Sequence, residues 1–190
     1  MDLAIISRTT ARRDLAYPGW SSWGLPPVVD MRAQRQLLVD RRQGCIVIRQ
    51  SELSAIFGRR WAYTGNLLTV AIDSRLRRIE RDVCELYYHE SRWAPGFLTL
   101  DYIRSGPDTT LSTFYAATLV LDEIARLKKS SAIVANVTNS RISERLMERW
   151  NWQRHCLGWF GRHYIKRFYG QYPAIEPVWR ERLGMESVEQ

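Results

Sequence analysis

The chain has 190 residues, of which 45% are hydrophobic and 25% charged, the composition of one ordinary globular domain with room for a substantial core. No apolar run approaches the ~20 residues of a membrane helix, and the opening MDLAIISRTTARRD, with an acid at position two, makes a poor signal peptide, so a cytoplasmic protein is expected. The net charge of +8 rests on arginine, since of 28 basic residues only Lys128, Lys129 and Lys166 are lysine. These arginines are dispersed rather than gathered in a tail, which fits a GC-rich genome better than a phosphate-binding patch. Cys45, Cys84 and Cys156 are widely spaced and odd in number, which argues against a disulfide framework. His89, His155 and His163 gather no ligand cluster, and no metal site is expected.

Residues 1–27 read as an irregular N-terminal segment, with a short strand at Leu3 to Ile6 and a Pro- and Gly-rich loop carrying Trp20 and Trp23. Residues 28–170 read as the folded domain and 171–190 as a C-terminal tail. Asp30 is placed to cap a helix through MRAQRQLLVDRRQ that stops at Gly44. Cys45 to Ile48 is a β-branched strand, Ser51 to Phe57 one or two helical turns, and Leu67 to Ile72 a second strand. Leu76, Ile79, Val83 and Leu86 share one face of a helix predicted from Ser74 and ending by Trp93, before Pro95 and Gly96.

Phe97 to Ile103 reads as a central strand, and Ser105 to Thr109 as a loop. The strongest helical periodicity follows over Thr110 to Lys129, with Phe114, Ala117, Leu121 and Ile124 in one stripe and Asp122–Arg126 as an outer ion pair. Ala132 to Val137 is a buried strand, Ser140 to Trp150 a helix with Ile142, Leu146 and Trp150 inward, and Gln153 to Phe160 with His163 to Phe168 a hairpin turning at Gly161-Arg162.

The strand–loop–helix–strand–helix–strand–strand order from Phe97 onward, with Asn139 after the second strand and Arg141, Leu146, Met147 and Trp150 on the next helix, resembles the second half of the GNAT acyltransferase fold. The resemblance covers about 70 residues. It implies an α/β mixed sheet flanked by helices, in which the strands on either side of the long helix splay apart and acyl-CoA lies in the gap. Acetyl-CoA or another acyl-CoA is then the expected co-substrate, and a small-molecule or peptide amine the acceptor. The residues it assigns to the co-substrate are Tyr102, Ile103, Ser105, Gly106, Thr109, Thr110 and Asn139. Asp101 is the candidate carboxylate base, and Tyr164 a second candidate catalytic residue, facing away from His163 on the last strand.

Two residue types depart from the family pattern. The diphosphate loop is replaced by Ser105-Gly106-Pro107-Asp108-Thr109-Thr110, where Pro107 lacks an N–H and Asp108 is acidic, so that Asp108 or Thr109 reads equally well as a cap of its own helix. Met147 stands where many members carry a proton-donating Tyr. The alternative reading is therefore a non-catalytic module of the same fold. It would bind nucleic acid through Trp159, Arg162, Tyr164, Lys166, Arg167 and Phe168, or a protein partner through the Trp20–Trp23 loop.

Overall fold

The computed structural model describes residues 25–58, 81–106, 108–137, 142–156, 158 and 161–185. Their elements, in chain order, are α1 (Arg35–Asp40), β1 (Gln43–Arg49), β2 (Glu52–Gly58), β3 (Val83–Glu90), β4 (Phe97–Ser105), α2 (Leu111–Leu127), β5 (Ala132–Asn136), α3 (Glu144–Arg149), β6 (Gln153–Arg154), β7 (His163–Arg167) and α4 (Pro177–Arg182). The strands form one seven-stranded mixed sheet, ordered β2-β1-β3-β4-β5-β7-β6. Its parallel pair is β4 and β5, joined by the α2 crossover; the other pairings are antiparallel. The expected class, an α/β mixed sheet flanked by helices, is the one observed.

Strand parity sorts the side chains. Ile46 and Ile48 of β1, Leu86 and Tyr88 of β3, Leu98 and Leu100 of β4, Ile133 of β5 and Tyr164 of β7 share one buried cluster with α2. Cys45, Val47, Phe57, Val83 and Tyr87 form a smaller cluster on the opposite face, with Tyr102 packed against it. Helix α2 is buried nearly all round, including Asp122 and Glu123. Asp122 therefore does not make the outer pair expected with Arg126. It accepts a 2.6 Å hydrogen bond from Lys166 of β7, while Arg126 pairs with Glu123. Lys128, at the end of α2, has its ammonium buried against Glu90 and the Val39 carbonyl.

Three sequence readings are corrected. The segment after Ser51 is strand β2 rather than helical turns. Gln50 and Ser51 both take positive φ, 49° and 65°, and a two-residue turn of that hand folds β2 back onto β1. Val83 to Glu90 is strand β3 rather than the end of a helix; it lies between β1 and β4, residues of both its faces are buried from Val83 to Tyr88, and that run mimics a helical stripe. Helix α1 is only six residues, and Gly44 sits in β1, where a Cβ would lie 2.8 Å from the Phe57 carbonyl oxygen. Asp30 does not cap α1: its carboxylate accepts from the Arg32 and Ala33 amides in the turn ahead of the helix, whose N-cap is Gln34 with no side-chain cap hydrogen bond.

The second half follows the expected order, with shorter elements: β6 is two residues, and α3 begins at Glu144 with Ser143 as its cap. Residues 171–185, read from sequence as part of a tail, contribute α4 and bury Ile175, Leu183 and Met185 in the main cluster. The predicted elements at 3–6, 67–72 and 74–80 lie outside the described residues, as do Trp20 and Trp23. No helix among the described residues is long and apolar enough to cross a membrane.

Candidate functional site

The site begins where a ladder stops. β4 and β5 pair in parallel from Phe97↔Ala132 to Leu100↔Ala135. Beyond Leu100, β4 runs on to Ser105, with no registered partner on that side among the described residues, while β5 ends at Asn136 and turns its pairing to His163 of β7. Backbone N–H and C=O groups of Asp101 to Ser105 thus border an opening at the carboxyl ends of two parallel strands, the edge at which open α/β sheets hold ligands.

β4 also bulges there. Tyr87 pairs with Tyr102 and Tyr88 with Leu100, so Asp101 is the extra residue. A bulge locally breaks strict alternation and re-aims a side chain. Asp101 is thereby brought to His89 of β3, its Oδ1 lying 2.6 Å from Nδ1 of the half-exposed imidazole. The hydrogen bond to Asp101 raises the His89 pKa above its ordinary 6.5, against partial burial. Sequence reading missed His89 because β3 was taken for a helix; its alternation with Glu85 and Tyr87 is the signal that places it on the Asp101 face.

Beside this pair, Tyr102 stacks on Tyr87 with centroids 4.1 Å apart. Tyr87 donates to the buried Glu85 carboxylate, which also faces Arg104 at 3.5 Å. Burial, then the neighbouring Cys45 and Glu85, push the Tyr87 phenol far above its ordinary pKa, so it stays protonated.

Tyr164 lies on the other face. It pairs with Ala135, itself the partner of Leu100, so all three sit on the last rung before the opening. Tyr164 is 1% exposed, and its hydroxyl has no hydrogen-bond partner. Arg154 lies over its ring at 5.7 Å. A buried, unsatisfied hydroxyl is uncommon and calls for an explanation. Met147 is buried in the core, and Trp150 at the end of α3 meets Phe114 and Tyr115 of α2 at 5.1 and 5.2 Å, an aromatic bridge between the two helices.

The loop between β4 and α2 turns its donors inward. The Thr110 amide and hydroxyl both donate to Asp82 Oδ1, at 2.8 and 2.9 Å. The Thr109 hydroxyl donates to the Val83 carbonyl and its amide to that of Gly106, whose own amide leans on Val83 at 3.5 Å. The cap of α2 is Thr110, accepting from the Thr113 amide, rather than Asp108 or Thr109. Ser105 is exposed at the end of β4, Tyr102 and Ile103 border the opening, and Asn139 lies outside the described residues. The amides and hydroxyls of Thr109 and Thr110 are thus engaged within the fold at the start of α2.

Those of the residues named for nucleic acid that are described lie on β7 or beside it. Tyr164, Lys166 and Phe168 are buried, and Arg162 donates to the Ile142 carbonyl. Trp159 lies outside the described residues. No group of His, Cys, Asp and Glu that could hold a metal occurs among the described residues.

No family model and no curated protein matches the chain. Among solved structures, it is similar to a protein from Desulfovibrio desulfuricans assigned to the GNAT family of acetyltransferases. Identity is 16% and the TM-score 0.38; the match covers 44% of this chain and 60% of that one.

Proposed function

We propose that this protein transfers an acyl group from a pantetheine thioester, such as acyl-CoA, to an amine. The observation that carries the proposal is the end of the β4–β5 ladder at Leu100↔Ala135, with β4 continuing for five residues beside the opening. The arm lies along Asp101 to Ser105, and the thioester carbonyl meets the N–H groups that β4 turns into the slot. The acceptor approaches from the Asp101 face.

The amine nitrogen attacks the carbonyl carbon, forming a C–N bond and a tetrahedral oxyanion. Backbone donors fixed by the rest of the sheet stabilise that charge without reorganising. The amine proton passes to the Asp101–His89 pair, with Asp101 nearest the slot and His89 holding its carboxylate in place. The C–S bond then breaks, and the thiolate takes the Tyr164 hydroxyl proton from the opposite face. Solvent exchange returns the pair and the phenol to their starting protonation. Tyr164 thereby supplies, from β7, the proton that Met147 of α3 cannot.

The test is thiol release from acetyl-CoA and longer acyl-CoAs across a panel of amines. Acceptor-dependent release is expected, together with a rise in melting temperature on adding the thioester. At a hundredfold excess over Kd, binding to the native state alone stabilises by about 2.7 kcal/mol. No release and no thermal shift with any thioester would rule the reaction out.

A further inference from the structure

We infer that Asp82 makes this protein select its acyl donor by the pantetheine arm and disregard the nucleotide diphosphate, the end of α2 being filled by that carboxylate. The inference rests on the acyl-transfer reading. A donor lying along β4 toward Ser105 carries its phosphates to the start of α2, where free amides and the helix dipole ordinarily attract anions. Here that position already holds an anion. Asp82 Oδ1 takes both Thr110 donors, the amide and the hydroxyl. Burial, the largest single influence, pulls the Asp82 carboxyl up, and hydrogen bonds from the Thr110 amide and from the Thr113 and Thr110 hydroxyls together more than offset it, so the net pKa falls and the group is ionised at neutral pH.

A second, separate contact closes the same turn. The β1–β2 turn packs on it: the Ser51 amide donates to Thr113 Oγ1, and the Ser51 hydroxyl bonds to that of Ser112. Thr113 is fully buried as a result. The loop is poor in donors as well, since Pro107 has no N–H and Asp108 adds a carboxylate that pairs with Arg81 at 3.9 Å. A diphosphate arriving here would meet two carboxylates, Asp108 beside Arg81 and Asp82 already holding the Thr110 amide and hydroxyl. Like charge at close range disfavours binding, while the uncharged arm is unaffected.

The chain itself suggests the variant. Asp82 has φ of 51°, in the left-handed region that glycine adopts without strain, so Asp82→Gly removes the carboxylate and suits the backbone. Asp82→Asn keeps the acceptor oxygen and removes the charge. Affinities of acetyl-CoA and S-acetyl-pantetheine are measured by thermal shift for the wild type and both variants.

The wild type is expected to bind the two thioesters within about threefold of each other, and Asp82→Gly to gain about tenfold for acetyl-CoA alone, the scale of a few charge-assisted hydrogen bonds. Asp82→Asn should fall between them. A wild type that prefers acetyl-CoA by more than about tenfold overturns the assignment, as does an Asp82→Gly protein with no gain for acetyl-CoA. Both outcomes leave the acyl-transfer reading standing. A folded protein, wild type and variant, that ignores both thioesters removes that reading and this one together.

Discussion

Asp101 and Tyr164 lie on opposite faces of the sheet, and under the proposed reaction their surroundings predict opposite balances of activity and stability. Asp101→Asn keeps size and hydrogen bonding but loses the proton acceptor, so kcat should fall by about 10²- to 10⁴-fold with little change in melting temperature. Tyr164→Phe removes a buried hydroxyl that has no partner, so stability should hold or rise slightly while kcat falls. Tyr88→Phe is the control, because the Tyr88 hydroxyl is equally buried and unpartnered but lies beside Gly44 of β1, on the side of β3 away from β4; its stability should behave alike and its activity should not move. Equal activity in all three proteins would remove Tyr164 from the reaction.

His89 adds a pH signature. Its pKa is raised in the folded state by the bond to Asp101, so its stabilising contribution is full below the ordinary value of 6.5 and is lost as pH rises through the raised value. Proton uptake by the pair needs the neutral imidazole, so activity should rise across the same window. His89→Gln should flatten both trends, which unfolding curves and rate profiles from about pH 6 to about pH 9 would show.

At the scale of elements, the buried Lys166–Asp122 pair ties β7 to α2 across the main core, with side chains 6% and 5% exposed. Removing one partner strands a buried charge. Asp122→Leu or Lys166→Met alone should therefore cost about 3–5 kcal/mol, whereas the two together should be close to neutral. A double-mutant cycle in denaturant reads the difference; additive costs would show that the pair does not act as a unit.

The same packing explains which elements the sequence disclosed. Helix α2 and strand β5 were legible because their apolar residues recur at one period over a long run or form a short β-branched block. β2 and β3 were not. The Gln50-Ser51 turn carries no Asn-Gly signal, though its backbone adopts the same left-handed conformation, and β3 is buried on both faces, so it shows no clean apolar–polar alternation. Asp101 was singled out as a carboxylate on the strand that the family resemblance marks. Its partner His89 depended on strand register and a bulge, which local spacing does not encode. Lys166 and Asp122 lie far apart in sequence and meet only through the crossover.

On the scale of the whole molecule, the C-terminal segment closes the core rather than trailing from it. Leu183 and Met185 are fully buried in the main cluster, the Tyr172 hydroxyl donates to the Ser130 carbonyl at the end of α2, and Arg32, near the start of α1, donates to the Met185 carbonyl. One short stretch therefore joins the first described helix to the end of the longest one. The sheet and α2 would keep their mutual contacts without it but would expose the apolar ground beneath Leu183. Leu183→Ala should accordingly cost about 2–5 kcal/mol, the loss of buried methyl groups plus the cavity left behind. Denaturant unfolding checks this: the midpoint should fall with the slope unchanged, since a local cavity leaves the surface exposed on unfolding the same. A shift below about 0.5 kcal/mol, the range of ordinary surface substitutions, would mean that this segment rests on the core without completing it.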